Sequence, residues 1–280
     1  MTKKLSGKSI SGILFFVLLA FTLFSSCKKS ADIKKDDDKP DTLGGYYTDN
    51  YIPKEGYIYA YKFTAEDGSA HTIYKGNLGS KDSAGMKVSE IMTTMSFNGE
   101  ELHLKNKMYD RNGTTITTVY AAQEWARYLN MMRKNVEESG GQILQTSLTG
   151  MPFNMIMENQ PKVGSSLKFT GGPTKFYLKA VMGTGSNALL YESRQTITRY
   201  NGTAVRQETV EIPSGKYDCT VWKYDVDNRI DTYINGNLAN TLTSTDKLTV
   251  WTKPGLGEVL SIQENTKSGT STTELITISR

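Results

Sequence analysis

Apolar and polar residues alternate along most of the chain between short turn signals, a pattern typical of antiparallel β-strands. Segments rich in Thr, Val, Ile and Tyr, such as 87–97, 100–110 and 272–279, fit strands with one buried face. Asn-Gly pairs separate several of these segments, and Asn-Gly favours type I′ hairpin turns, which need positive φ at both central positions. The pairs lie at Asn98-Gly99, Asn112-Gly113, Asn201-Gly202 and Asn235-Gly236. The pattern predicts a mainly β protein, either a large curved antiparallel sheet or an open, barrel-like meander.

One segment departs from this alternation and predicts an amphipathic helix packed against the sheet. Between residues 120 and 141 apolar side chains recur at helical spacing, and Gly140-Gly141 is a natural helix end. The apolar stripe comprises Trp125, Tyr128, Leu129, Met132 and Val136. Its simplest interpretation is a face packed on the sheet. A lid over an apolar cavity is the alternative, because pockets often form between a curved sheet and its helix.

The first 26 residues have the organisation of a bacterial secretory signal. Three lysines form a positive start, and residues 13–24 are an almost unbroken apolar run that is too short to span a bilayer. Ser25 and Ser26 then precede Cys27, and the Phe-Ser-Ser-Cys motif resembles the lipobox of bacterial lipoproteins. The resemblance implies cleavage before Cys27 and its lipidation, with acyl chains such as palmitate as the anchor. A plain signal peptide with an incidental cysteine is the alternative.

Residues 27–46 are predicted to be the lipidated cysteine and a flexible charged tether, and residues 47–280 a β-rich envelope domain. The segment 30–42 is charged and lacks aromatic residues, so it cannot bury enough apolar surface to fold. A Pro-Lys-x-Gly echo before strand-like segments suggests two β halves, at about 47–140 and 160–280, within one continuous sheet. The expected location is the outer membrane of a Gram-negative bacterium, facing the periplasm or the cell surface.

Charge and cysteine content exclude several classes of protein. The chain has 33 Lys and Arg against 29 Asp and Glu, and three of the lysines lie in the signal segment. The mature protein is therefore close to neutral and has no electrostatic case for binding nucleic acid, which requires a clustered basic face. Cys219 is the one cysteine besides Cys27, so lipidation of Cys27 leaves no internal disulfide and the fold depends on its core.

The strand around Cys219 has apolar residues on both faces, which predicts a strand covered on two sides or a bulge near Val221. Cys219 then reads as a small buried hydrophobic residue, with a free reactive thiol as the alternative. Between the predicted helix and the later strands, residues 149–169 read as a crossover loop.

The sequence contains no recognisable catalytic or metal-binding motif, and neither a cofactor nor a metal is expected. The two histidines, His71 and His103, lie in strand-like segments, and no Gly-x-Ser-x-Gly elbow accompanies them. Cys-x-x-Cys and His-x-x-x-His spacings, which suit metal ligation, are absent. The expectation is a protein that is not an enzyme, although carboxylate pairs for glycoside hydrolysis can come from remote parts of a chain.

Methionines cluster in three places, where their flexible thioethers can fill a core or line an adaptable apolar groove. Binding of Cu(I) is the third interpretation. One cluster, at Met155 and Met157, follows the predicted helix. The candidate ligand-contacting residues are Trp125, Tyr128, Leu129, Met132, Met155 and Met157.

Four segments resemble, in order, the signature of a TapB-like family, a domain of unknown function in bacterial envelope lipoproteins. They are YIPKEGYIYAY at 51–61, PKVGSSLKF at 161–169, IPSGKYDCTVWKYDV at 212–226 and VWTKPGLGEVL at 250–260. The resemblance covers about residues 50–280. It implies an all-β envelope domain and supplies no catalytic or binding residues. The motif positions are Pro213, Gly215, Tyr217 and Cys219, then Trp251, Gly255, Gly257 and Val259.

These observations predict a lipid-anchored envelope protein that binds an apolar or amphipathic small molecule without catalysis. Its membrane contact would be the lipidated Cys27, and its ligand would occupy a cavity between sheet and helix. One alternative is a structural or interaction component that docks another envelope protein, and a second is a hydrolase. A contiguous exposed aromatic patch would favour the former, and a polar cleft holding a histidine near Ser or Asp would favour the latter.

Overall fold

The structure is a computed structural model and describes residues 49–97, 100–120, 129–130, 132–134, 136–138, 140–183, 185 and 188–280. The predicted signal segment, Cys27 and the tether lie outside the described residues, as do Trp125, Tyr128 and the Asn98-Gly99 pair. Among the described residues, no helical turn reaches the length and apolarity that crossing a bilayer requires.

The described residues contain fifteen β-strands, all paired antiparallel in one sheet, which confirms the prediction of a mainly β protein. The strands are β1 (Ile58–Thr64), β2 (Ala70–Ser83), β3 (Met86–Phe97), β4 (Glu100–Arg111), β5 (Thr114–Val119), β6 (Gln142–Thr149), β7 (Phe153–Glu158), β8 (Ser166–Thr170), β9 (Thr174–Met182), β10 (Leu189–Arg199), β11 (Gly202–Ile212), β12 (Gly215–Ile234), β13 (Asn237–Lys253), β14 (Gly257–Asn265) and β15 (Gly269–Ser279).

Twelve of these strands close into a barrel. Their order is β11-β8-β7-β5-β4-β3-β2-β1-β15-β14-β13-β12, and β12 pairs again with β11. The seam between β8 and β11 consists of two residue pairs, Gly202 with Leu167 and Thr203 with Ser166. The predicted meander is therefore closed rather than open, through a short pairing between segments that are distant in sequence.

Two strands continue past the barrel and form a sheet extension with β10, β9 and β6. The first part of β12 pairs with β11, and its second part, residues 226–234, pairs with β10. Residues 129–130, 132–134 and 136–138 are helical. Of these, Met132 and Leu129 pack on the extension, against a cluster that includes Phe176, Leu178, Tyr191 and Ile230. The helix is thus packed against the sheet, as the apolar stripe predicts.

A segment before β1 crosses one end of the barrel. The Tyr51 amide donates to Thr115 Oγ1 on β5 (3.0 Å), and the Gly255 amide, after β13, donates to the Asn50 carbonyl oxygen (2.7 Å). Since β5 and β14 stand on opposite sides of the ring, the Asn50–Tyr51 peptide bridges two sides of its opening. Tyr51 is fully buried there. We call this end of the barrel the plugged end.

The Asn-Gly pairs behave in two ways. Asn112-Gly113 and Asn235-Gly236 have positive φ at both residues, as the type I′ prediction requires. The prediction is wrong for Asn201-Gly202, where neither residue has positive φ. Gly202 begins β11 instead, and a Cβ there would lie 2.3 Å from the Lys223 carbonyl oxygen. The glycine is needed for close approach of two strands rather than for a turn.

The bulge predicted near Val221 is present in the partner strand. The β11–β12 register shifts between Ala204 and Arg206, opposite Trp222 and Val221, and both of those β12 residues are fully buried. Beyond the bulge the β11–β12 hairpin bends over the sheet, and Ser214 Oγ donates to the Leu275 carbonyl oxygen on β15 (2.8 Å). Cys219 is buried in the cluster formed here, in agreement with its interpretation as a core residue.

Candidate functional site

The barrel interior contains a cavity of about 190 Å³. Alternation along each strand sends every second side chain inward, so neighbouring strands each contribute one or two wall residues. Barrels of eight strands are just filled by their inward side chains, and twelve strands enclose more space. The apolar wall comprises Ile91, Met108, Val119, Met155, Met157, Leu167 and Val250, joined by the rings of Tyr51, Trp222 and Tyr224.

Two oppositely charged side chains line this cavity. Lys75 lies on β2 and Glu258 on β14, among the polar wall residues Asn106, Thr117 and Thr252. Lys75 is partly buried and lines the cavity wall. Within the described part of the chain, neither side chain forms an ion pair within 4.0 Å or a hydrogen bond. Two unpaired charges inside a largely apolar barrel are costly, so their presence needs a reason.

The electrostatics of Lys75 follow from its enclosure. Burial lowers the pKa of the Lys75 ammonium group, and the negative charge of Glu258 partly opposes this shift. The two groups therefore interact electrostatically across the cavity without forming an ion pair.

Further polar groups in the wall are incompletely hydrogen-bonded. Among the described residues, the Tyr51 hydroxyl and Thr117 Oγ1 are buried without a hydrogen-bond partner of normal geometry, although Thr220 and Thr252 lie beside Tyr51. Burial raises the pKa of Tyr51 and that of Tyr224. Both phenols are therefore neutral near pH 7, and each unsatisfied hydroxyl is a group that a bound molecule can complete.

A row of aromatic rings leads from the cavity to the junction with the sheet extension. The Tyr224 ring lies 5.2 Å from the Phe169 ring, and the Phe169 ring lies 6.5 Å from the Phe153 ring, measured between centroids. The Arg199 guanidinium stacks 3.9 Å from the Phe153 centroid and donates to Thr174 Oγ1 (2.9 Å). Burial lowers the pKa of Arg199. This row continues the interior away from the plugged end.

The described members of the predicted ligand-contacting set lie in two separate clusters. Met155 and Met157 pack with Leu167 and Trp222 in the cavity wall. Leu129 and Met132 pack on the sheet extension and do not line the cavity. The described helix residues therefore fit the face-packing interpretation rather than the lid, because the cavity lies inside the barrel. Whether any of these residues contacts a ligand stays a prediction.

Sequence reasoning missed Lys75 and Glu258 as site residues. Lys75 was detectable, because strand alternation places it on the same face as the buried Ile73. Glu258 was not, since the register shift between Trp251 and Thr252 on β13 breaks the alternation beside it. Its inward position depends on that irregularity.

The two histidines have different surroundings. The His71 ring stacks 4.8 Å from the Phe63 ring, and burial lowers the pKa of His71. His103 Nδ1 lies 3.0 Å from Thr94 Oγ1, and its Nε2 lies 3.8 Å from a Glu101 carboxylate oxygen. Across the described residues, no group of three or more His, Cys, Asp or Glu side chains is arranged to hold a metal.

Two solved structures are similar to this chain. One is a protein of Bacteroides fragilis NCTC 9343, assigned as exported and with a YmcC-like fold; it is 17% identical, with 82% of this chain and 99% of that chain covered and a TM-score of 0.48. The other is a protein of Parabacteroides distasonis ATCC 8503, assigned as a lipoprotein; it is 15% identical, with 82% and 98% covered and a TM-score of 0.49. No protein-family model and no curated protein matches the chain, so the resemblance to the TapB-like family stays a prediction.

Proposed function

We propose that this protein is a lipid-anchored component of the bacterial outer membrane that binds a small apolar or amphipathic molecule without catalysis. The observation that carries the proposal is the cavity inside the barrel, which combines an apolar wall with the charged groups of Lys75 and Glu258. Ligand sites typically have this composition, mostly apolar with a few polar groups that fix orientation.

The size of the cavity limits the ligand. An apolar cavity of about 150 Å³ holds benzene, whereas pockets for drug-sized molecules span about 300–1,000 Å³. At about 190 Å³, the cavity suits one ring or a short chain rather than a whole phospholipid. A small metabolite or the end of a longer amphipathic molecule fits this limit.

The anchoring part of the proposal rests on the sequence around Cys27. An apolar run, two small residues and then a cysteine form the arrangement that precedes lipidation, and two or more acyl chains hold a protein stably at a membrane. The domain would then face the periplasm or the cell surface on its charged tether. The membrane is one partner in this proposal, and the cavity ligand is the other.

A non-catalytic role agrees with the surroundings of the candidate catalytic groups. His71 is stacked on Phe63, and His103 contacts Thr94 at the partly exposed surface of β4. Neither histidine is among the residues of the cavity wall.

Native mass spectrometry of the lipoprotein, extracted gently from its own membranes, tests ligand binding. The expected result is a reproducible extra mass that remains after the lipidated residues are removed. Val250→Phe, which fills the cavity, should abolish this extra mass. Val163→Phe, at a position that is 69% exposed, is the matched control and should retain it. A domain that is empty in every preparation would contradict the proposal.

A further inference from the structure

The cavity wall carries a positive and a negative group that the protein itself leaves unpaired. Lys75 is partly buried at the cavity wall, and no ion pair joins it to Glu258 within 4.0 Å in the described part of the chain. The two residues come from strands on different parts of the ring, β2 and β14, with β1 and β15 between them. Both charges are therefore held at the same cavity by separate rigid elements.

Each of three simple ligand classes leaves at least one of the two charges uncompensated. A neutral apolar molecule would displace water from both groups and pair with neither of them. An anion would pair with Lys75 but would face the like charge of Glu258, and a cation would do the reverse. Because like charges repel strongly where water is excluded, neither single charge suits this wall.

We infer that the ligand is a small zwitterion with an apolar body, whose anionic group pairs with Lys75 and whose cationic group pairs with Glu258. This inference rests on the proposed function and narrows its ligand class. The apolar side chains of Ile91, Met108 and Val250 enclose the body. The buried hydroxyls of Tyr51 and Thr117 are further polar groups at the wall. An α-amino acid with an apolar side chain has this chemistry and fits the size limit.

The inference explains why a destabilising arrangement is retained. Enclosing an ammonium group without a partner costs free energy in the empty protein, and this cost is recovered when a complementary ligand binds. Charge-assisted hydrogen bonds are about twice as strong as neutral ones, so the pair of charges would dominate selectivity. The apolar wall would then set the size of the accepted body.

Isothermal titration calorimetry with four probes of one shape tests the inference. The probes are phenylalanine, 3-phenylpropanoate, 2-phenylethylamine and ethylbenzene, which share a phenyl body and differ in charge. The protein is the whole mature chain with Cys27→Ala, which removes acyl chains that compete for an apolar cavity. Phenylalanine is expected to bind at least tenfold more tightly than each of the other three, because each charge pair contributes a tenfold or larger factor.

Two variants identify the groups responsible. Lys75→Met should weaken phenylalanine binding at least tenfold and strengthen binding of the amine. Glu258→Gln should also weaken phenylalanine binding at least tenfold but strengthen binding of 3-phenylpropanoate. Lys62→Met and Glu264→Gln remove exposed charges from the neighbouring strand β1 and from β14 itself, and should change no affinity. Circular dichroism of each variant checks that it is folded.

The outcomes separate this inference from the proposed function. If ethylbenzene or a singly charged probe binds as tightly as phenylalanine, the zwitterion inference is wrong while a ligand-binding cavity stands. If the four affinities are unchanged in Lys75→Met and Glu258→Gln, the charges do not contact the ligand and the inference is again wrong. If none of the probes binds and the extracted lipoprotein is empty, both the inference and the proposed function fail.

Discussion

Burial of the charged Lys75 side chain lowers the stability of the folded protein. Its pKa is lowered from an ordinary value of 10.5 because burial disfavours the charged form. Between the lowered pKa and 10.5 the unfolded chain binds a proton that the folded chain releases, so this residue makes stability rise with pH through that window. Below the window the cost is present in full.

We therefore expect Lys75→Met to stabilise the empty protein. At pH 7 the free energy of unfolding should rise by about 1 kcal/mol, since replacing buried charges by apolar residues is often neutral or stabilising. The gain should shrink as the pH rises toward and past 10.5, because the lysine then loses its proton in the unfolded state as well as in the folded state. Urea denaturation at the two pH values measures the difference. Lys62→Met, at an exposed position, should show no such pH dependence, and a destabilised Lys75→Met variant would contradict the account.

Cys219 illustrates a residue whose chemistry is suppressed by its surroundings. It is 3% exposed, and burial raises the pKa of its thiol to about 12. Because the thiolate is the reactive form, we expect negligible labelling by a maleimide at pH 7.5 in the native protein and complete labelling in urea. A Cys27→Ala background leaves Cys219 as the one thiol. Rapid labelling of the folded protein would restore the reactive-thiol interpretation.

At the scale of elements, the strands and their turns were predicted where local chemistry determines them. Asn112-Gly113 and Asn235-Gly236 adopt the predicted positive φ values, because the hairpin turn is a property of two residues. The interpretation of residues 149–169 as a crossover loop is wrong, since β7 (Phe153–Glu158) and β8 (Ser166–Thr170) lie within it. Apolar residues occupy both faces of the FNMIME segment, at Met155 and Met157 on one face and Ile156 on the other, so alternation gave a weak strand signal.

The β8–β11 seam is the element-level weak point of the barrel. The seam has two residue pairs, and Gly202 forms one of them. Gly202 also lies close to the backbone of Lys223 on β12. A Cβ at Gly202 would meet the Lys223 carbonyl oxygen at 2.3 Å and Tyr224 Cβ at 2.7 Å. The space on this side of the strand is therefore filled by backbone that cannot move independently.

Gly202→Ala is expected to destabilise the protein by about 2–3 kcal/mol, through the overpacking at this seam. Gly76→Ala is a matched control in β2, because its Cβ would meet its nearest atom at an ordinary 3.7 Å. Thermal unfolding of both variants measures the difference. Equal melting temperatures would mean that the seam relaxes without cost. Native-state hydrogen exchange should also show faster exchange in β8 and β11 of the Gly202→Ala variant.

At the scale of the whole molecule, closure of the barrel could not be predicted from the sequence. Alternation reports which face of a strand is buried, but it does not report which distant strand pairs with it. The cavity exists because the barrel closes, so its position inside the barrel could not be predicted from the sequence. Met155 and Met157 line the cavity, whereas the described helix residues Leu129 and Met132 pack on the extension.

Anchoring is a property of the whole chain and has a direct test. We expect wild-type protein to incorporate radiolabelled palmitate and to sediment with membranes, because its acyl chains partition into the bilayer. Cys27→Ala should lose both the label and the membrane association. Cys219→Ala is the control with the other cysteine removed and should keep both. Unchanged label and sedimentation in Cys27→Ala would show that the anchor is elsewhere.

The crossing segment at the plugged end has a mechanical consequence. It follows the predicted tether in the sequence, so tension on the proposed membrane anchor would reach residues 50–53 before any strand. The contacts loaded first are the Tyr51–Thr115 and Gly255–Asn50 hydrogen bonds, rather than the long ladders of the barrel wall. A pull on the anchor would therefore draw the plug from the barrel while the wall stays intact. Tension on the tether would then open this end of the cavity, in addition to holding the domain at the membrane.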